Sequence, residues 1–440
     1  MEIFFIRALQ LIMALSLLVL IHEFGHFIFS RIFKVRVEKF YLFFDWGFSL
    51  FKWKPKNSET EYGIGWVPLG GYCKISGMID ESMDTEQMKQ PPQPWEFRTK
   101  PAWQRLLIMV GGVLFNFILA MFIYAMIMFA WGESYTDIRK ATYGMEFNEN
   151  AKSLGFTDGD IILKVDGNDV DRYSVDLLRA IADGKEVTVL RSGEECTVNI
   201  PDDFGLLDMG KETPFMQFRM PAVIDSVMPG MPGAIAGMQK GDSVLSIGGN
   251  AITSWNGLMA TMQKMQESAT KEFEVTLMRD SIVTLTATVD DTYKLGITPQ
   301  LPNYPVERLT YGFFASFPAG IKYGWNVLKG YVSDFKYLFS SEGAKSVGMF
   351  GTIGSMFPAV WDWHQFWQMT AMLSLILAVM NILPIPALDG GHVVFLLFEV
   401  ISGRKPSDKV LEYAQTIGML ILLGLFVLAT YNDAMRFIFS

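Results

Sequence analysis

Four apolar blocks constrain this chain more than any other feature of its sequence. They fall at about residues 5–29, 106–131, 367–401 and 413–431, and each is long enough to cross a bilayer. Inside lipid every backbone polar group needs an internal partner, so blocks of this length are read as helices. Half of the 440 residues is apolar, yet the stretch from 132 to 363 is mostly polar. The expected fold class is a polytopic α-helical membrane protein with four transmembrane helices and a large aqueous insertion between the second and third. The net charge of -9 leaves no basic surface for a phosphate backbone, which argues against nucleic acid as a partner. Cys73 and Cys196 are too few for a disulfide framework or a cysteine-based metal site. A secretory leader is the rival reading of residues 1–30. The apolar run reaches Ile21 and no small-residue cleavage site follows it, so a retained helix is expected.

Short flanks set the orientation, because basic residues stay in the cytoplasm. Arg31, Lys34, Arg36 and Lys39 follow the first block against Glu38 alone, and Arg404, Lys405 and Lys409 follow the third against Asp408. Glu133, Asp137 and Asp362 mark the opposite side. The expected topology has the N-terminus and the 132–363 stretch outside the cytoplasm.

The polar stretch contains a repeat. LGFTDGDIILKVDGNDV, residues 154–170, aligns without gaps to AGMQKGDSVLSIGGNAI, residues 236–252, matching Gly159 with Gly241, Asp160 with Asp242, and Gly167 with Gly249. Each copy reads as a helix end, a tight Gly-Asp turn, an alternating strand and a hairpin signal. Two tandem β-rich domains are expected, at 134–215 and 216–300. Their pattern resembles the PDZ fold, which binds extended chains by strand addition. Residues 301–365 are expected as an amphipathic membrane-surface segment, since 307–340 mixes aromatics with Lys and Asp. An ordinary linker helix packed on the β-rich domains is the alternative.

The first block contains HEFGH. His22 and His26 are four apart, so on a helix both imidazoles meet one metal ion, and Glu23 beside them can take a proton from water. Each ionisable group in a spanning helix costs about 2.5–3.5 kcal/mol, so three without a function are improbable. A catalytic metal takes a third protein ligand. Asp389 is the best candidate, being the one carboxylate inside the broken middle of the third block, and it lies at a depth comparable to that of the histidines. His392 is the rival, with a capping role as its alternative. His364 is placed at the outer membrane edge and Glu399 at the cytoplasmic interface, neither as a ligand. Nitrogen and oxygen ligation in this setting favours Zn2+.

HEFGH in the first helix, NILPIPALDGGH at 381–392 and the tandem PDZ-like repeats together resemble the site-2 protease family, in its bacterial RseP-type branch. The likeness covers essentially the whole chain. It implies His22, His26 and Asp389 as zinc ligands, Glu23 as the catalytic glutamate, and Asn381, Pro384 and Pro386 as substrate-positioning residues. EYGIGWVPLGGYCKISGM, residues 61–78 within a β-loop region at about 40–80, resembles the family's membrane-associated β-loop. There an edge strand would pair with substrate, and a plain surface hairpin is the alternative. At 111–117, GGVLFNF has Val113 where the family has proline; this is read as altering a helix kink and not the chemistry.

The implied function is intramembrane proteolysis in the inner membrane of a bacterial cell, on single-span membrane proteins such as anti-sigma factors and signal-peptide remnants. The lipid bilayer is then a partner, the PDZ-like domains are periplasmic and gate entry, and they have peptide or protein ligands of their own. A membrane scaffold with a structural metal, and a hydrolase of small or lipidic substrates, are the rival classes.

Overall fold

The computed structural model describes residues 2–78, 90–210, 213–338, 340, 343, 345, 347–405, 407–437 and 439. The chain divides into two compact units, one formed by Met1–Glu133 with Thr310–Ser440 and the other by Ser134–Leu309.

The first unit opens with helix α1, Glu2–Ile32, followed by strands β1 (Val37–Phe44), β2 (Phe51–Trp53), β3 (Glu61–Ile64) and β4 (Val67–Ile75), then helix α2, Ala102–Ala130. The four strands form one sheet in the order β2-β3-β1-β4, with β1 and β3 parallel and β1 and β4 antiparallel. Residues 61–78 are therefore not a plain hairpin, because β3 and β4 lie on opposite sides of β1. The nine-residue β4 is an edge strand.

After the second unit (strands β5–β18, helices α3–α6) the chain returns as α7 (Phe313–Leu338), α8 (Phe350–Met356), α9 (Trp363–Ile382), α10 (Asp389–Ser402) and α11 (Asp408–Phe437). Among the described residues, α1, α2, α9 and α11 are long and apolar enough to cross a membrane. The third apolar block, expected as one broken span at 367–401, is two helices, α9 and α10, separated by six residues. Pro384 and Pro386 account for the interruption, since neither supplies a backbone N–H.

Close backbone approach sets the packing of α1 on α2. A Cβ on Gly25 would lie 2.2 Å from the Gly111 carbonyl oxygen, so only glycine fits at this crossing. Helix α9 packs on α2 through Ala371 and Leu375 against Ala120, Tyr124 and Ile127, and Ser374 Oγ donates to the Asn116 carbonyl at 2.8 Å. Near its start α1 is tied to the loop before α9, where Gln10 Nε2 donates to the Pro358 carbonyl at 3.0 Å.

The 301–365 segment differs from a membrane-surface element. Helix α7 packs lengthwise on the later half of α2, running antiparallel to it from Phe313 beside Phe129 to Gly324 beside Met121. Gly320 and Gly324 form a small-xxx-small stripe that lets the two helices touch, and Tyr323 stands edge-on to Tyr124 with centroids 5.2 Å apart.

The second unit begins with β5 (Glu133–Thr136), which pairs with its last strand, β18 (Val306–Leu309). The first repeat contains β6 (Met145–Phe147), α3 (Glu149–Ser153), β7 (Ile161–Val165), β8 (Asn168–Asp169), α4 (Val175–Asp183), β9 (Glu186–Arg191), β10 (Glu194–Asn199) and β11 (Met216–Phe218). The second contains β12 (Ile224–Val227), α5 (Pro232–Ala236), β13 (Ser243–Ile247), β14 (Asn250–Ala251), α6 (Trp255–Glu267), β15 (Glu272–Met278), β16 (Ile282–Thr288) and β17 (Ile297–Pro299).

The two repeats have matching sheets, β10-β9-β7-β8 and β16-β15-β13-β14, each over its own core. The Gly-Asp turns also match: Gly159 and Gly241 sit at φ +100° and +90°, a region that favours glycine. Buried Asp160 takes a two-pronged ion pair from Arg191 at 2.8 and 2.7 Å, and buried Asp242 takes the same pair from Arg279 at 2.7 and 2.8 Å. The boundary expected after 215 moves, because β11 pairs with β6 and buries Met216 in the first core. Asn256 Nδ2 donates to Glu146 at 2.6 Å and joins the repeats.

Candidate metal centre and active site

Helix α1 presents His22 and His26 one turn apart, both buried, with ring centroids 4.9 Å apart. Asp389 is the first residue of α10 and comes to the same point. His22 Nε2 lies 3.1 Å and His26 Nε2 3.3 Å from Asp389 Oδ2, and the two Nε2 atoms are 3.3 Å apart. A tetrahedron of ligands at about 2.0–2.1 Å from zinc would space its corners by about 3.3 Å. Asp389 thus lies beside the two histidines, at the depth the sequence suggested.

The hydrogen bonds around the cluster point the lone pairs inward. His26 Nδ1 donates to the Ile108 carbonyl at 2.9 Å, which leaves Nε2 as an acceptor. His22 Nδ1 faces the side-chain amide of Asn116, whose nitrogen is placed 3.3 Å away while its Oδ1 is buried without a partner. Turning that amide over lets Oδ1 accept from His22 Nδ1–H and leaves the second Nε2 as an acceptor too. Asp389 Oδ2 is itself buried with no hydrogen-bond donor. Three acceptor atoms converging in a largely buried site repel one another unless a cation lies among them, so these residues fit a metal ion.

The break before Asp389 is built for close contact. Ala387 adopts φ +79°, a costly conformation for a side chain with a Cβ, and it turns the chain into α10. A Cβ on Gly390 would sit 2.0 Å from the Leu383 carbonyl oxygen, so the helix folds back onto the break only with glycine there. Asn381 and Pro384 lie at this break, half-buried and exposed in turn, whereas Pro386 is covered by α11, where Gly418 meets its carbonyl. Among the described residues, no hydrogen bond or ion pair joins any of the three to His22, His26 or Asp389. Glu23 follows His22 on α1 and is half-buried.

Of the rivals, His392 stands outside the cluster and lines a cavity of about 70 Å³ with Arg105, Glu399 and Lys405. His364 stacks on Trp131 at 5.1 Å, at the far end of α9. Glu399 is ion-paired to the buried Arg105.

One stripe of α2 escaped the sequence reading. A Cβ on Gly112 would fall 2.5 Å from His26 Nε2 and 2.8 Å from His22 Nε2, so the helix passes over the imidazoles with no side chain between. With Asn116 beside His22, the GGVLFNF segment lies directly against the two histidines. Its signal was present, because Asn116 is the one strongly polar side chain in the second apolar block.

The model of "Peptidase family M50" matches residues 10–425. A Vibrio cholerae protein provisionally named a zinc metalloprotease is 30% identical over 97% of both chains. The "Regulator of sigma E protease" of Haemophilus influenzae is 28% identical, covering 97% of this chain and 98% of its own length. The "Regulator of sigma-E protease RseP" of Escherichia coli is 28% identical over 97% of each.

Proposed function

The chain belongs to peptidase family M50, and from that membership we propose that it is an intramembrane zinc protease that cuts single-span membrane proteins in or near their transmembrane segment. The observation that carries this reading is the convergence of His22 and His26 from α1 and Asp389 from the start of α10 onto one point. His22, His26 and Asp389 would hold zinc, which when bound acidifies a water and polarises the scissile carbonyl.

Glu23 takes one proton from the attacking water as its oxygen bonds to the carbonyl carbon. It returns that proton to the amide nitrogen as the C–N bond breaks. A helical substrate hides its backbone, so it unwinds before cleavage, and the edge strand β4 offers a row of backbone groups to replace the lost hydrogen bonds. Asn381, Pro384 and Pro386 act on the substrate at the break. The two repeats, with their matching sheets and turns, act as tandem PDZ-like domains on the periplasmic side of a bacterial inner membrane. They gate entry against bulky exported domains and have peptide or protein ligands of their own. Relatives named for sigma-E regulation support anti-sigma-type substrates, with signal-peptide remnants as a second class.

The test is co-expression of a tagged single-span substrate with wild type and with Glu23→Gln. The variant should keep its zinc and lose cleavage by about 10²–10⁴-fold. Equal amounts of fragment from both would end the proposal.

A further inference from the structure

Asp389 opens a helix separated from α9 by the non-helical residues 383–388, and Gly390 seats the first turn of that helix on the Ile382–Leu383 backbone. The rest of α10 is placed by its contacts with α2. Its apolar contacts, Val393 and Leu396 against Ile108, Met109 and Phe97, hold it to α2. The cavity of about 70 Å³ beside them leaves room to move.

A directional tie sits at the far end of α10. Arg105 of α2 is ion-paired with Glu399, the two side chains only 9% and 16% exposed, and Arg105 Nε also donates to the Lys100 carbonyl at 2.9 Å. The guanidinium is thus fixed on one side to the turn that starts α2 and on the other to α10. Arg105 also continues the stripe of α2 that serves the site. Residues 105, 108, 112 and 116 are spaced three, four and four apart, which puts them on one face of the helix. Ile108 orients His26, Gly112 admits both rings, Asn116 faces His22, and Arg105 holds the helix of the third ligand.

We propose that Arg105 and Glu399 are a positioning pair that sets the place of Asp389 and thereby the zinc affinity and turnover of the enzyme. The proposal rests on the reading of Asp389 as a zinc ligand. The leverage is geometric. Asp389 lies seven residues, roughly 10 Å, from Leu396, so a tilt of about 5° about that contact moves it by about 1 Å. A misplacement of that size costs on the order of 10²-fold in rate. Cutting one side of the pair also leaves a buried charge without its partner, which favours such a tilt.

The experiment titrates zinc on the detergent-purified full chain against a competing chelator, and measures kcat and KM on a tagged single-span substrate. Glu399→Gln keeps the side-chain length and removes the charge, and Arg105→Lys keeps the charge and removes the fork that joins Glu399 to the Lys100 carbonyl; each should weaken zinc binding by about 10–100-fold and lower kcat while KM stays the same. The double swap, Arg105→Glu with Glu399→Arg, should recover at least about tenfold of that loss. Gln10→Leu removes a comparable buried tie far from α10; it should lower thermal stability and leave zinc affinity at the wild-type level. Folded Glu399→Gln and Arg105→Lys proteins that hold zinc as tightly as wild type would overturn the positioning role alone, provided Asp389→Ala loses the metal. Asp389→Ala binding zinc like wild type would overturn the ligand reading and this proposal with it.

Discussion

Gly112→Ala is the sharpest test of how α2 lies over the site. In an ordinary helix this change is favourable by roughly 0.5–1 kcal/mol, because alanine loses less backbone freedom. Here the new methyl carbon lands 2.5 Å from His26 Nε2, 2.7 Å from His22 Cε1 and 2.8 Å from His22 Nε2. Ordinary contact begins at 3.4 Å, so the rings must retreat by about 0.6–0.9 Å. They have little freedom to do so, since His26 is held through Nδ1 by Ile108 and His22 faces Asn116. Overpacking of this kind costs about 1–3 kcal/mol, which exceeds the helix gain and reverses its sign.

The displaced atoms are the very nitrogens that face the metal position. Zinc affinity should therefore fall by about 10–100-fold and cleavage by about 10²-fold. Chelator competition on the purified chain, with bound metal counted by mass spectrometry, reads the first; release of a tagged fragment from a co-expressed substrate reads the second. Gly424→Ala is the control, because a Cβ there meets nothing within 4 Å, and it should leave both readings unchanged. A Gly112→Ala protein with wild-type zinc affinity and cleavage would refute the passage of α2 across the imidazoles.

Asn116→Leu removes the amide that faces His22 Nδ1 and should weaken zinc binding about tenfold in the same titration, whereas Asn116→Asp, which still accepts from Nδ1–H, should not; equal affinities for all three chains would sink the role given to Oδ1. In the second repeat, hydrogen bonds from Arg279 hold the Asp242 carboxyl below the usual carboxylate range, against the opposing effect of burial. A carboxyl with a depressed folded value stabilises above its unfolded pKa of about 3.9, and that stability is lost as pH falls through the folded value. The melting temperature of a 134–309 fragment should therefore drop between pH 5 and pH 2.5, and Asp242→Asn should start lower and show a smaller drop; parallel curves would count against the linkage.

What was legible in the sequence follows from how local each signal is. Hydropathy is a property of single segments, so four spans could be read directly, although the turns that extend α11 to Asp408–Phe437 lie beyond the apolar run. His22 and His26 lie within one turn, and Asp389 was reachable because a carboxylate inside a broken apolar block is costly unless a cation lies against it. The repeat was legible because Gly159-Asp160 and Gly241-Asp242 each need a turn that glycine favours and a cation for the buried aspartate. Met216–Phe218 was assigned to the wrong domain because its partner strand is some 70 residues earlier, and three residues have no pattern that names a partner. The place of α7 was missed for a related reason. Its lysines suggest an aqueous face, while Gly320 and Gly324, which dock it on α2, look like helix breakers until the second helix is present.

The supporting stripe on α2 shows why such a site spreads its machinery over residues that look ordinary in the sequence. Imidazoles aimed at one point are held in that orientation by what their second ring nitrogens bond to, and here those partners come from the protein. Those partners are a backbone carbonyl, Ile108, which has no sequence signature, and one amide, Asn116, which has a weak one. The absence of a side chain at 112 matters as much as either. Glycine at that point serves by what it leaves out, and only the position of the imidazoles shows what that is. The three clustered residues could be named from their chemistry. The helix that holds them in place had to be found from the packing.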